Sequence, residues 1–110
     1  MQSYKIEITE LAESDLERAG DYIAYELKNS QAAIDTIQGI KNKMYSLEIL
    51  PERNELDEDR KLAELGIRQE YYKNYKIFYI VDHTKQSVII IRILHMLVDS
   101  RTWLYRAFDL

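Results

Sequence analysis

The hydrophobic pattern at the start of the chain changes from that of a strand to that of a helix. Over residues 4–8, apolar or aromatic side chains alternate with charged ones, which is the period of a strand with one buried face. After Thr9, apolar residues recur at steps of four, three and four, at Ala12, Leu16, Ala19 and Ile23. Thr9 can cap this helix, and Glu10, Glu13 and Asp15 in its opening turns favour the helix dipole. The sequence therefore predicts a strand followed by an amphipathic helix.

A second helical pattern begins after a break at Asn29 and Ser30. Its apolar residues are spaced by three, three, four and three positions, at Ile34, Ile37, Ile40, Met44 and Leu47. We expect Ser30 to cap this helix and Pro51 to end it, because proline lacks the backbone N–H that a helix interior needs. Two successive helices with one apolar stripe each predict a helical hairpin. Gly20 and Gly39 lie inside the helices at a cost in stability, which suggests close packing between the pair.

The second half of the chain has the pattern of strands. Residues 52–61 are dense in charge, with Leu56 as their one apolar side chain, and are predicted to form a solvated loop. Three strands are predicted at residues 65–71, 75–81 and 87–94, and the short gaps between them favour an antiparallel meander. The last strand is apolar on both faces, so we expect it to be central and covered on each side. Residues 99–110 have helical spacing and predict a short C-terminal helix.

Composition narrows the class of protein. The 110 residues are 46% apolar and 31% charged, which is typical of a globular chain and of a single domain over residues 1–110. There is no cysteine, and the two histidines lack a metal-ligand spacing, so we expect neither a metal nor another cofactor. No stretch approaches the roughly 18 apolar residues of a membrane span, and a cytoplasmic location without membrane contact is expected.

Charge is distributed unevenly along the chain. Residues 1–60 carry 7 basic and 14 acidic side chains, a net −7, whereas residues 61–110 carry 8 and 5, a net +3, which together give the overall −4. General nucleic-acid binders gain affinity by neutralising phosphates over a basic surface. This chain lacks that distribution, so any site for a polyanion must be local.

The order of elements, and several local motifs, resemble the RelE/ParE toxin superfamily over nearly the whole chain. The motifs are Tyr4-Lys5-Ile6, Thr9-x-x-Ala12-x-x-Asp15-Leu16, Asp21-Tyr22-Ile23, Leu47-x-x-Leu50-Pro51, Leu65-Gly66-Ile67-Arg68, the strand from Tyr75 through Phe78 to Asp82, and Arg92-Ile93-Leu94-His95 followed by Asp99. Each motif is weak alone, but several in the same order and at the same separations are specific.

The resemblance implies an α+β fold in which a strand and a helical hairpin precede a three-stranded antiparallel meander with a short C-terminal helix. It also implies the toxin of a bacterial type II toxin–antitoxin system, neutralised by a cognate antitoxin. ParE-like members poison DNA gyrase, whereas RelE-like members cleave messenger RNA on the ribosome without a metal. A third alternative is a non-toxic module that only binds the antitoxin.

A nuclease would need a group that activates the ribose 2′-hydroxyl, a cation for the phosphorane charge and an acid for the leaving oxygen. The candidates are Lys76, Arg68, Arg92 and His95, and we expect them to gather on the side of the sheet away from the hairpin. Lys76 stands where RelE-like enzymes usually have arginine, and a lysine cannot grip phosphate with two parallel hydrogen bonds. The plainer alternatives are a surface role for Lys76 and Arg68, a salt bridge for Arg92 and a structural or antitoxin-facing His95.

The residues after His95 favour the ParE-like alternative. RelE-like enzymes carry a basic cluster there, but this chain has Met96, Leu97 and Val98. Together with Trp103 and Phe108 they form either part of the core or an exposed patch for a protein partner. The apolar tail is also compatible with a homodimer. His83, in a predicted turn, is expected to be solvated.

Overall fold

A four-stranded sheet with helices on both faces organises residues 3–110, which are the residues described by the computed structural model. The elements run in the order β1 (Lys5–Ile8), α1 (Glu10–Asp21), α2 (Ser30–Ser46), α3 (Arg60–Glu64), β2 (Arg68–Tyr72), β3 (Tyr75–Asp82), β4 (Ser87–His95) and α4 (Ser100–Ala107). A π-helical turn, Tyr22–Glu26, extends α1, and a 3₁₀ turn, Pro51–Arg53, follows α2. No helix within the described residues is long and apolar enough to cross a membrane.

The sheet has the strand order β1-β4-β3-β2. The last three strands pair antiparallel in sequence order, so the predicted meander is confirmed. β1 pairs parallel to β4, from Lys5 opposite Ser87 to Ile8 opposite Ile90. β4 therefore lies between two strands, as its apolar sequence predicted.

Two apolar clusters cover the two faces of the sheet. On one face the hairpin of α1 and α2 packs against alternate residues of β3 and β4; this cluster contains Ala12, Leu16, Ile40, Met44, Leu47, Ile77, Tyr79, Val88, Ile90 and Ile93. On the other face α3 and α4 cover Ile67, Phe78 and Leu94 with Leu62 and Leu104. The expectation that β4 is covered on both sides is confirmed.

A bulge in β4 changes which side chains face the hairpin. Tyr79 pairs with Ile90, but its neighbour Phe78 pairs with Arg92, so Ile91 is an extra residue without an opposite partner. Residues directly opposite one another share a face of the sheet. The bulge therefore places Arg92 on the face of Phe78 and returns Ile93 to the hairpin face.

Two predicted helix boundaries are wrong. Asn29, and not Ser30, caps α2, because its Oδ1 accepts a hydrogen bond of 3.0 Å from the N–H of Ala32. The helix ends at Ser46, before Pro51, which instead opens the 3₁₀ turn. Leu50 connects the two with a left-handed backbone (φ 51°).

The predicted solvated loop at residues 52–61 is largely anchored to the sheet. Arg53 forms an ion pair of 2.8 Å with Glu70, and the Asn54 side chain donates to Glu70 and to the hydroxyl of Tyr79, each at 3.1 Å. Arg60 opens α3 within the same segment. The density of charge in this segment suggested solvent exposure. It could not show that these residues have partners on distant strands.

His83 is likewise not merely solvated. Its Nδ1 lies 3.0 Å from the Tyr4 hydroxyl, and its Nε2 lies 3.1 Å from a carboxylate oxygen of Glu52. It therefore connects the β3–β4 turn to the residue before β1 and to the 3₁₀ turn.

The two helical glycines differ in the space that is available for a Cβ atom. A Cβ on Gly20 would meet Ile37 of α2 at 3.4 Å, which is ordinary contact across the hairpin. A Cβ on Gly39 would clash with the ring of Tyr72, on β2. Gly39 thus marks close approach of α2 to the sheet and not to α1, contrary to the expectation of packing between the helices.

Replacing Gly39 with alanine should therefore destabilise the fold. The clash with the Tyr72 ring should outweigh the roughly 1 kcal/mol that alanine gains in helix propensity, and leave a net loss of about 1–2 kcal/mol. Urea denaturation measures the change, with Gly20→Ala as the matched control that should be neutral or stabilising. Equal unfolding midpoints for the two variants would contradict this packing.

Candidate functional site

A cavity of about 390 Å³ opens between α1, the end of β4 and α4. Most of its lining is apolar or aromatic, with charged groups at its base and rim. The residues that line it are Asp15, Arg18, Ala19, Tyr22, Tyr75, Arg92, Ile93, Leu94, His95, Leu97, Val98 and Trp103. An apolar concavity with a few convergent polar groups is the usual form of a binding site.

The base of the cavity is a buried ion pair between α1 and β4. Arg92 Nε lies 2.7 Å from Oδ2 of Asp15, and Nη2 lies 2.6 Å from Oδ1. The Arg92 and Asp15 side chains are only 5% and 4% exposed. This two-bond geometry is the strong form of an arginine–carboxylate pair, and it uses both carboxylate oxygens.

Asp15 also closes the open edge of β4. The pairing of β1 with β4 ends at Ile90, and beyond it the N–H of Ile93 donates to Asp15 at 2.9 Å. The Thr9 hydroxyl donates to the carbonyl of Ile90 at 2.8 Å and accepts from the N–H of Ala12, which confirms Thr9 as the cap of α1. Helix α1 thus continues the hydrogen bonding that β1 begins.

The same arginine connects to α4. The Trp103 ring lies 5.2 Å from the Arg92 guanidinium and 5.4 Å from that of Arg106, within the range of cation–π attraction. α4 is also held to the start of α3, because Arg101 and the Tyr105 hydroxyl each reach Asp59 at 2.8 Å. Asp15, Arg92 and Trp103 therefore link α1, β4 and α4 around the cavity.

The rim of the cavity offers hydrogen-bond donors. His95 Nδ1 accepts the N–H of Leu97 at 3.1 Å, which assigns the proton of the neutral ring to Nε2. Tyr75 contacts the His95 ring edge-on at 5.2 Å, and burial raises the pKa of Tyr75, so its hydroxyl stays protonated. The Arg18 side chain, 65% exposed, adds a cation at the mouth, where its Nη2 lies 3.5 Å from Oδ1 of Asp15.

The four predicted catalytic residues do not gather on one face, so that expectation is wrong. Arg92 and His95 line the cavity, but Lys76 lies in separate recesses beside Asp57, Glu58 and Gln69. Arg68 pairs opposite Tyr79 on the hairpin side, where it donates to the carbonyl of Asn54 and to Glu52. Arg68 and Lys76 lie on opposite faces of the sheet because side chains alternate along paired strands. The face of Arg92 depends on the bulge beside it, which the alternation of the sequence does not predict.

The four predicted partner-binding residues divide in a similar way. Met96, Leu97 and Trp103 are exposed, and Leu97 is 88% exposed. Phe108 instead packs against the apolar cluster of Leu62 and Leu104. The exposed patch therefore consists of three of the four residues and adjoins the cavity.

Sequence reasoning missed Asp15, Arg18, Tyr22 and Tyr75 as residues of this site. A signal for Asp15 was present, since it lies within the apolar stripe that contains Ala12, Leu16 and Ala19. An acid on the buried side of an amphipathic helix requires a buried partner, just as Arg92 does within its apolar strand. Within residues 3–110, no group of three or more potential metal ligands was found.

Comparison with known proteins identifies the family to which the chain belongs. A family model described as the ParE toxin of the type II toxin–antitoxin system parDE matches residues 6–99. The chain belongs to this family, and the resemblance to the RelE/ParE superfamily is confirmed. Comparison with curated protein sequences finds no match.

Several experimental structures share the fold. The RelBE2 toxin–antitoxin complex from Mycobacterium tuberculosis is 22% identical with a TM-score of 0.64, over 86% of this chain and 93% of that one. The chromosomal ParDE system from P. aeruginosa is 18% identical with a TM-score of 0.69, over 84% and 96%. A free E. coli RelE double mutant is 15% identical with a TM-score of 0.66, over 98% and 97%. At these identities the likeness establishes the fold.

Removing the carboxylate of Asp15 should be far more damaging than removing an exposed acid from the same helix. Asp15→Ala leaves Arg92 buried without a partner, which typically costs about 3–5 kcal/mol. Urea denaturation should show this loss, whereas the control Asp21→Ala should stay within about 0.5 kcal/mol of the parent chain. A double-mutant cycle with Arg92→Met should give a strong coupling energy. Additive effects of the two changes would contradict the ion pair.

Docking of α4 should weaken in acid. The hydrogen bond from Tyr105, followed by smaller contributions from Leu62 and Arg101 that together outweigh burial, holds the pKa of Asp59 below its usual 3.8. The pKa is lower in the folded state, so this stabilisation is present above pH 3.8 and is lost as the pH falls through the folded value.

Fluorescence of Trp103, the single tryptophan, reports on α4. In the parent chain its emission should change as the pH falls below about 4, the range of aspartate titration. Asp59→Asn should show weaker docking already at neutral pH and a smaller acid transition. Superimposable pH profiles for the two proteins would show that Asp59 does not hold α4.

Proposed function

We propose that this chain is a ParE-like toxin that arrests growth by binding DNA gyrase, and that a cognate antitoxin neutralises it. The observation that carries the proposal is the pairing of Arg92 with Asp15. Among the described residues, Arg92 carries the one buried guanidinium that lines the cavity. Because this guanidinium is paired, it is not a free cation that could bind a phosphate.

Cleavage of RNA without a metal needs a base, a cation and an acid around one phosphate. Both carboxylate oxygens of Asp15 engage Arg92, and Arg68 and Lys76 lie outside the cavity. Of the four candidates, this leaves His95, which lines the cavity together with Tyr75 and the exposed Arg18. This arrangement supports a binding function better than a nucleolytic one.

The surroundings of the cavity suit a protein partner. Leu97, Met96 and Trp103 are exposed beside it, while Tyr22, Tyr75 and Arg18 contribute to its lining and rim. Aromatic residues, methionine and arginine are enriched in protein interfaces, and tryptophan, tyrosine and arginine are the commonest energetic anchors. We therefore propose that gyrase binds at this surface.

The likeness to the P. aeruginosa ParDE system and to the RelBE2 complex supports an antitoxin as the second partner. An antitoxin segment that covers Leu97 and Trp103 would exclude gyrase from the same patch. Neutralisation would then be direct competition for one surface.

One observation favours the alternative of a ribosome-dependent messenger endonuclease. His95 lines the cavity close to Tyr75, and histidine is the side chain most often used for proton transfer. In that case the double change His95→Ala with Lys76→Ala should abolish toxicity while antitoxin binding persists. Toxicity that survives both changes would eliminate this site.

The deciding experiment is expression of the chain without an antitoxin, with DNA and protein synthesis followed by pulse labelling. We expect DNA synthesis to stop first and purified toxin to inhibit gyrase while ribosome-bound messenger stays intact. Early arrest of translation with cut messenger would instead establish the nuclease, and normal growth would establish a non-toxic antitoxin-binding module.

A substitution in the exposed patch tests whether this surface is the one that binds gyrase. Leu97→Asp should weaken gyrase inhibition by at least about tenfold, as loss of an apolar anchor does. Ile34→Asp, at an exposed position of α2 that does not line the cavity, is the control and should inhibit normally. Equal inhibition by both variants would place gyrase elsewhere on the surface.

A further inference from the structure

The lining of the cavity contains one more cation than it can pair. Two arginines and one aspartate line it, so the lining carries a net +1 within a chain of net charge −4. Asp15 gives its two oxygens to Arg92 at 2.6 and 2.7 Å and to the N–H of Ile93 at 2.9 Å. Within the described residues, the Arg18 side chain makes one hydrogen bond, from Nη2 to this same carboxylate at 3.5 Å. A guanidinium has five N–H donors, so Arg18 keeps most of them for another acceptor.

The remaining polar groups of the cavity also favour an anion over a cation. They are the hydroxyls of Tyr22 and Tyr75 and the ring of His95, whose Nδ1 already accepts the N–H of Leu97. Among the described residues that line the cavity, Asp15 is the one carboxylate. A bound carboxylate would therefore find donors at the rim, whereas a bound ammonium group would find no charge to pair with.

The apolar part of the cavity has the size and lining for an aromatic side chain. Its volume of about 390 Å³ lies near the lower end of the roughly 300–1,000 Å³ that ligand sites span. Trp103 and Tyr22, which are 37% and 53% exposed, present ring surface to it. Aromatic rings prefer offset or edge-on contact with one another, the arrangement that Tyr75 and His95 already show at 5.2 Å.

The backbone of the helix beside the cavity gives an independent indication. At Tyr22 the chain passes from α1 into the π-helical turn Tyr22–Glu26, one turn after Arg18. Single π-helical turns at the end of or within an α-helix occur frequently at functional sites. The irregular turn thus starts at the residue whose exposed ring forms one wall of the cavity.

We propose that the cavity receives an aromatic side chain of the partner protein, and that an aspartate or glutamate next to it in the partner sequence pairs with Arg18. The ring occupies the apolar lining beside Trp103, and the carboxylate accepts from the guanidinium at the mouth. This recognition element rests on the proposed function for the identity of the partner, gyrase, and on the cavity alone for its chemistry.

The two halves of the element contribute differently. Burial of the aromatic ring supplies most of the affinity, because aromatic anchors in desolvated pockets dominate protein interfaces. An exposed ion pair adds little affinity, but a lysine or arginine at the same place would face Arg18 and be rejected. Arg18 is therefore a specificity-determining residue.

The test titrates the full chain with capped five-residue peptides that contain phenylalanine followed by aspartate, asparagine or lysine, flanked by glycines. Emission of Trp103, the single tryptophan, reports occupation of the cavity that it lines. The Phe-Asp peptide should give a saturable change, and the Phe-Asn peptide should bind about three- to fivefold more weakly. The Phe-Lys peptide should bind more weakly still. Replacing phenylalanine by alanine should cost at least about tenfold.

A preference for aspartate reports the cavity and not the overall charge of the protein. The chain has a net charge of −4, so long-range attraction would favour the lysine peptide. Arg18→Gln should abolish the preference for Phe-Asp over Phe-Asn, and Arg18→Glu should reverse it in favour of Phe-Lys. Arg60→Gln, at a side chain of α3 that is 91% exposed, removes the same charge outside the cavity and should change affinity less than about twofold. Arg18 is itself mostly exposed, so its substitutions leave the fold in place.

Absence of a saturable change in emission, equal binding of the three phenylalanine peptides, or a preference for aspartate that survives in Arg18→Gln would each overturn the proposal. The peptide assay contains no gyrase, so it can succeed or fail separately from the toxicity experiment. Peptide selectivity as expected, in a chain that does not inhibit gyrase, would support the recognition element and assign the cavity to a different protein that carries it.

Discussion

The ion pair between Asp15 and Arg92 is the interaction on which the rest of the structure depends. β1 is too short to cover the whole edge of β4, and Asp15 supplies the acceptor that Ile93 lacks. A buried arginine without a carboxylate would be strongly destabilising, so helix α1 must lie across this end of the sheet. The position of α1 then fixes the cavity between this helix, the end of β4 and α4.

The chemistry of the cavity follows from that constraint. Because Arg92 is held by both carboxylate oxygens and stacks on Trp103, it works as part of the scaffold. What remains accessible is an apolar and aromatic surface with donors at its rim, which is suited to contact with a protein. Membership of the ParE toxin family agrees with such a surface, and the choice of target is the proposal that the geometry favours.

The hydrophobic periodicity of the sequence predicted the helices and strands. The composition of the site depends on contacts between residues that are far apart in the sequence. The alternation in β1, the stripes of the two helices and the apolar run in β4 were sufficient for the order of these elements and for the antiparallel meander. They did not predict α3 or the parallel pairing of β1 with β4. Arg92 was recognisable as a charge that needed a partner, but its partner is 77 positions away in the sequence. The bulge at Ile91 and the contacts of residues 52–61 depend in the same way on pairing across the sheet, which local patterns do not encode.

Arg92 is held by Asp15 and is therefore unavailable to a phosphate. The most direct measurement is an NMR titration of the Arg92 Nε–Hε signal with a single-stranded RNA oligonucleotide at low salt. If Asp15 holds the guanidinium, this signal is protected from solvent exchange and does not move as RNA is added. A shift that saturates with RNA concentration would contradict it, because the guanidinium would then have exchanged its carboxylate for the nucleic acid.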